Sequence, residues 1–284
     1  FQPIKKGTKL PPVLEARADK ERMKLYATPV TPADLTILAD QDPHFRVVDF
    51  SRGMPQERAE ASYFHKSLGG HHAAKPMLYD EFVKYYNFPM GLMEGKMHLL
   101  AMLNTKYLIQ NKDMALPNAE ALGNVWFVTE LKQVANADEE LVAIGNFFPR
   151  QTAIVQSRFA DYLAGLANTP GANDKIYLTA YHPDKLTYKS ETQGERFAVF
   201  SEIYYPPAKG WNVYIDGQLY DKGFIKVNYL LRGMRVPAGA HTIEMRFEPT
   251  SVSLGETIGL VASLLIFAAL GFAGWQTYKG LKNA

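Results

Sequence analysis

The chain of 284 residues contains no cysteine, which excludes a disulfide scaffold, a thiolate metal centre and a cysteine nucleophile. Absence of thiols suits an exported bacterial domain. Charge of one sign is also missing: 31 basic residues stand against 29 acidic ones, for a net charge of +2. With no basic face concentrated enough to track a phosphate backbone, nucleic acid is not an expected partner. Local signatures of common chemistries are lacking too. There is no HxH or HExxH spacing, no glycine-rich phosphate cradle and no Gly-x-Ser-x-Gly elbow, so no catalytic residue, metal site or cofactor is expected. The chain opens at Phe1 without a charged n-region, apolar core and cleavage site. The expectation is a removed leader or a piece of a longer protein.

The longest absence is one of charge. Residues 257–278 (TIGLVASLLIFAALGFAGWQTY) carry no ionisable head until Lys279. At about 1.5 Å per residue they reach roughly 33 Å as a helix, enough to cross a hydrocarbon core of about 30 Å. A buried core helix would show an apolar stripe, whereas this run is apolar all round. Trp275 and Tyr278 stand where an interfacial aromatic belt lies, and Glu256 marks the other edge. Lys279 and Lys282 beyond the run place the tail, 279–284, on the cytoplasmic side and the bulk of the chain outside. The expected span is 254–278.

Before the span, the chain divides by pattern. Residues 1–30 are rich in Lys and Arg, carry Pro3, Pro11 and Pro12, and have no apolar period; they read as a linker or surface arm. In Thr31-Pro-Ala-Asp34, Thr31 suits an N-cap and Pro32 the first helical position. Further helices are expected over 76–86, 92–103 and 137–144, with strands at 45–50, 106–110, 125–129 and 152–156. Helices and strands interleave, so 31–168 reads as a mixed α/β domain. Beyond residue 169 the period changes to two. Seven short strands between 176 and 247, with Asp216-Gly217 as a two-residue hairpin turn, predict an antiparallel β-sandwich over 169–252. The fold class is α+β: a mixed α/β domain, a sandwich and one C-terminal membrane helix.

Candidate binding residues are few. His71 and His72 are adjacent, and neighbouring side chains diverge on helix and strand alike. With Gly69 and Gly70 before them they read either as a tight loop or as a ligand-contacting one. In the sandwich, Tyr204, Tyr205, Trp211, Tyr214, Tyr220 and Tyr229 form an aromatic-rich set. Aromatic rings stack on the C–H faces of sugars but also fill sandwich cores. Tyr204, Tyr205, Tyr214 and Tyr229 stay as candidates, Tyr214 first because it points outward, while Trp211 reads as core. Asp138, Glu139 and Glu140 read as a solvated helix face, and Asp216 serves turn geometry.

A series of motifs runs through the chain in order: Thr31-Pro-Ala-Asp34, His44-Phe-Arg-Val-Val48, Ser62-Tyr-Phe-His-Lys-Ser-Leu-Gly-Gly70 with Ala73-Ala-Lys75, Met102-Leu-Asn-Thr-Lys-Tyr-Leu-Ile109, Ala121-Leu-Gly-Asn-Val-Trp-Phe-Val128, Gly210-Trp-Asn-Val-Tyr-Ile-Asp-Gly217, Asn228-Tyr-Leu-Leu-Arg232 and Val236-Pro-Ala-Gly239. This series resembles the C-terminal region of the bacterial YfhO-type membrane proteins, the Bacteroidetes members most closely. The resemblance implies a polytopic protein similar to GT-C glycosyltransferases, which use polyprenyl-phosphate sugars on the outer side of the cytoplasmic membrane. It also implies partners: the bilayer, an envelope glycan or lipid-linked sugar, and other membrane proteins. In that family the catalytic acid lies in an early external loop between the first membrane helices, so no catalytic residue carries over to this chain. The alternative expectation is a non-catalytic, membrane-anchored scaffold of an envelope complex.

Overall fold

The computed structural model describes residues 29–71, 74–88, 91, 95–169 and 171–282. The basic arm up to residue 28, His72 and residues 92–94 of the expected third helix lie outside the described residues. The first element is α1 (Pro32–Leu38). Thr31 accepts from the Asp34 backbone N–H while the Asp34 carboxylate accepts from Thr31 N–H, a reciprocal capping box that satisfies two orphan donors.

Strand β1 (Arg46–Asp49) follows, then two 3-10 turns, α2 (Met77–Tyr85) and α3 (Met97–Met102). Strand β2 (Thr105–Asn111) runs parallel to β1, and β3 (Met114–Pro117) closes this sheet antiparallel. Next come β4 (Val125–Phe127), β5 (Glu130–Val134), α4 (Ala137–Ala143), β6 (Thr152–Gln156) and the short α5 (Ala160–Leu163), with β5 and β6 paired in parallel. The last part holds β7 (Lys175–His182), β8 (Lys185–Thr192), β9 (Arg196–Ile203), β10 (Trp211–Ile215), β11 (Gln218–Leu219), β12 (Ile225–Val227), β13 (Leu231–Val236) and β14 (Gly239–Phe247), followed by the long helix α6 (Thr250–Lys282).

Two antiparallel sheets form the sandwich, one ordered β11-β10-β14-β8-β7 and the other β12-β13-β9-β4. Leu186, Tyr188, Val213, Ile243 and Met245 of the first meet Phe200, Met234 and Val236 of the second. The first sheet alternates buried and exposed residues, most clearly along β8, because only one of its faces is covered. The second is different. In β13 all six residues are buried, and in β9 the first six are. Phe197, Val199, Ile225 and Val227 point away from the sandwich core into a cluster with Phe82, Leu99, Leu103 and Ile154 of the preceding α/β part. The second sheet is therefore a middle layer with protein on both sides, and burying each large apolar side chain in it contributes about 1.5–3 kcal/mol.

Pairing and packing cross the expected division at 168/169. Strand β4, from the first part, pairs with β9, and the larger apolar cluster draws residues from both sides of that boundary. Thr105, Ser190 and Asn228 each keep one buried side-chain atom unpaired. Helix α6 has an apolar window that is 0% buried. It is the one described helix long and apolar enough to cross a membrane.

Candidate functional site

Three stretches distant in sequence meet in a cleft of about 620 Å³, a volume suited to a small ligand. The first is the turn before β1. Asp40 accepts from Asp42 N–H at 3.0 Å and Asp42 from His44 N–H at 2.9 Å, consecutive Asx turns that hold His44 at the rim. The second is the loop 62–70. Val47 N–H donates to Lys66 O at 2.9 Å and Leu68 N–H to Val47 O at 3.0 Å, so the loop runs beside β1 like a short extra strand. The third is β7, which presents Tyr181.

Lys66 Nζ lies 3.2 Å from the centroid of the Tyr181 ring and 3.4 Å from His44 Nδ1. The His44 ring stacks on Tyr181 at 5.4 Å. A lysine that close to both rings requires His44 and Lys66 to share one face of Tyr181. Lys66 forms no ion pair among the described residues; its ammonium is held by a π-face and a neutral imidazole. Burial pulls its pKa down to about 8, opposed by Glu202 and reinforced by Arg46. Burial also lowers His44, and the Lys66 charge adds to that. At neutral pH His44 is therefore neutral, and its Nδ1 accepts from the lysine.

Around this centre the scaffold is braced. His65, next to Lys66, turns inward and its Nε2 meets Asp34 Oδ1 at 2.8 Å. Burial pushes the Asp34 carboxyl upward, but hydrogen bonds from His65 and Thr31 outweigh it and hold it below its usual range. Leu68 O accepts from the Tyr79 hydroxyl and from Gln56. Behind the cleft, at the first residue of β1, Arg46 binds Leu103 O at 3.0 Å, Ser201 O at 2.7 Å and Glu202 at 3.2 Å. Asp40 is taken up by Lys106 at 2.6 Å and the Tyr107 hydroxyl at 2.8 Å, so the arrangement presents the Lys66 cation, a histidine edge, the Asp42 carboxylate and an aromatic ring, a mixture able to bind a polyhydroxylated ligand.

Among the described residues, those singled out from sequence lie elsewhere and are not brought together. His71 is exposed, and His72 is outside the described residues. The glycines before them have separate reasons: a Cβ on Gly69 would stand 2.2 Å from Pro55 O, and Gly70 has φ +135°. Tyr204 packs at the sandwich edge, edge-on to Phe224 at 5.9 Å. Tyr205 is exposed. Tyr214 donates to Glu248 at 2.8 Å under the Arg246 guanidinium. Tyr229 is buried and donates to Glu81 at 2.5 Å. Trp211 is core, with Arg232 stacked 4.2 Å over it. Asp216 and Gly217 have φ +50° and +82°, the geometry of a two-residue hairpin turn.

Sequence reasoning misassigned one carboxylate. Glu140, read as part of a solvated face, is fully buried and accepts from Lys226 at 2.6 Å, Gln156 at 2.6 Å and Tyr229 N–H at 2.8 Å. Only Asp138 and Glu139 of that triplet face outward. The cleft residues His44 and Lys66 fall inside quoted motifs, yet nothing in their spacing joins them to Tyr181. Comparison with protein-family models, with curated proteins and with solved structures finds no match to this chain.

Proposed function

We propose that this chain is the extracytoplasmic, acceptor-positioning region of a membrane glycosyltransferase of the GT-C type, acting on cell-envelope glycans with a polyprenyl-phosphate sugar donor. In this reading α6 holds the folded part at the bacterial cytoplasmic membrane, and the cleft around Lys66 receives the glycan. The observation that carries it is the Lys66–His44–Tyr181 cluster, a cation and two rings facing open space and flanked by carboxylates. Such a mixture offers ring faces to sugar C–H groups and donors and acceptors to hydroxyls. The ordered motif series resembling YfhO-type proteins supports the glycan class.

A second reading, a membrane-anchored scaffold, draws support from Phe148, 78% exposed beside a groove of about 350 Å³ lined by Met97, Leu122 and Pro149. An exposed phenylalanine beside such a groove offers an apolar anchor to a protein partner. Probing an array of wall and surface glycans with the full chain in detergent separates the two. The glycosyltransferase reading predicts binding to at least one glycan. Silence across the array removes it and leaves the scaffold.

A further inference from the structure

The junction between the sandwich and α6 is built rather than merely linked. Glu248 N–H donates to Gly210 O at 2.6 Å. A Cβ on Gly210 would stand 2.8 Å from Pro249, so the loop before β10 lies directly against the start of α6. That loop is Tyr205-Pro206-Pro207-Ala208-Lys209. Its Tyr205 ring is 45% exposed and meets Phe247, 37% exposed, edge-on at 6.2 Å. The apolar surface continues onto α6 through Val252 and Leu254, both more than half exposed.

We infer that the loop 205–209 and Phe247 form a seat that rests in the lipid interface, with Tyr205 at the headgroup boundary and Lys209 among the phosphates. This rests on α6 crossing a bilayer and is independent of what the cleft binds. Three features favour lipid over a protein partner. The patch is continuous with the apolar surface of α6, so the bilayer that receives the helix meets it without further recruitment. Its composition, a tyrosine with a lysine four residues on, matches the amphipathic groups that settle at membrane surfaces. Its backbone asks little of water: Pro206 and Pro207 have no N–H, while Lys209 and Gly210 donate to Pro206 O at 2.8 Å and Pro207 O at 2.8 Å, so burying the loop leaves few donors unpaired.

The seat lies near the Lys66 cleft along the sheet. Tyr181 pairs with Leu186, and Leu186 with Met245, four residues before Pro249. At about 3.3 Å per residue the cleft stands roughly 13 Å along the strand from Pro249.

Because the chain has no cysteine, single labels are free of background. The full chain carrying Tyr205→Cys, Gln218→Cys or Leu265→Cys is spin-labelled and reconstituted in phosphatidylcholine–phosphatidylglycerol vesicles. Accessibility to oxygen and to a water-soluble nickel chelate is then compared. Gln218 lies at the opposite end of β10 from Trp211 and serves as the aqueous reference. The seat predicts an oxygen-to-nickel ratio several-fold higher at 205 than at 218, and deepest burial at 265. A ratio at 205 equal to that at 218, with 265 inserted, overturns the seat alone. An aqueous signal at 265 overturns the seat together with the membrane span. A label at Lys209→Cys repeats the comparison should Tyr205→Cys disturb the loop, and an aqueous ratio there likewise counts against the seat.

Discussion

Lys226 Nζ lies 2.6 Å from Glu140 Oε2, with the two side chains 3% and 0% exposed. The pair ties β12 of the middle sheet to α4 and is completed by Gln156 and by the Tyr229 backbone. Burial lowers the Lys226 pKa, with Glu140 opposing. Asn228 and Tyr229, which follow Lys226, both hold positive φ, +49° and +68°, a strained pair of residues kept in place by these bonds.

Removing one partner leaves a buried charge unpaired. Glu140→Met or Lys226→Met alone is expected to cost about 3–5 kcal/mol. The double variant Glu140→Met with Lys226→Met should cost less than the sum of the two, about 1–3 kcal/mol, mainly for the orphaned Gln156 and Tyr229 donors. Denaturant unfolding followed by tryptophan fluorescence in a double-mutant cycle measures the coupling. Additive costs would show that the pair does not act as a unit.

Gly69 controls the loop that carries Lys66. A methyl at that position meets the backbone oxygen of Pro55 at 2.2 Å, a group that cannot swing aside, so the loop must move. Gly69→Ala is expected to destabilise by about 1–3 kcal/mol and to weaken ligand binding at the cleft. Gly70→Ala has no atom within 4 Å of the added Cβ but holds φ +135°, and so it tests conformational strain without the clash. Equal thermal shifts for wild type and Gly69→Ala would contradict the close approach.

The far end of the sandwich has its own pH dependence. His241 Nδ1 meets Asp216 Oδ2 at 2.6 Å. The hydrogen bond from His241 lowers Asp216, and the same bond raises His241. A raised histidine stabilises fully below its unfolded pKa of about 6.5 and loses that contribution as pH climbs through the folded value. A lowered aspartate stabilises above its unfolded value of about 3.9 and loses its share as pH falls through the folded one. The pair therefore helps most near pH 5–6. Because Asp216 is half exposed, the effect stays within about 1 kcal/mol. The difference in Tm between wild type and His241→Asn should peak there and vanish by pH 9; a difference constant across pH would argue against the pair.

Much of the fold is legible in the sequence, and the exceptions have physical causes. Thr31, Pro32 and Asp34 spell out the cap of α1, and Asp216-Gly217 the hairpin between β10 and β11, because these features are local. The α+β class follows from the switch in apolar period near residue 169. The middle layer is less legible: only Phe197–Phe200 is a continuous apolar run, the mark of a strand covered on both faces, whereas Leu231–Val236 buries Arg232 and Arg235 among its residues. What that pattern cannot tell is which element covers the second face. Glu140 was misread for the same reason. Its partner Lys226 lies 86 residues away, and only the packing of α4 on β6 and β12 reveals that the carboxylate points inward. The cleft joins His44, Lys66 and Tyr181 from three separate stretches, so motif spacing could not assemble it, and the tyrosines chosen by composition lie apart from it.

The central claim is that Lys66 receives the glycan, and titration of its charge tests it most directly. With the lysine at about pH 8, its ammonium is present at pH 7 and largely gone at pH 9.5. Affinity for the bound glycan, measured on the full chain at both pH values, is expected to fall roughly tenfold or more in the wild type. Lys66→Arg keeps its charge throughout and should bind with no such decline, Lys66→Met should bind weakly at both, and Tyr214→Ala should behave as wild type. Unchanged affinity for Lys66→Met, together with a flat pH profile in the wild type, would contradict the claim.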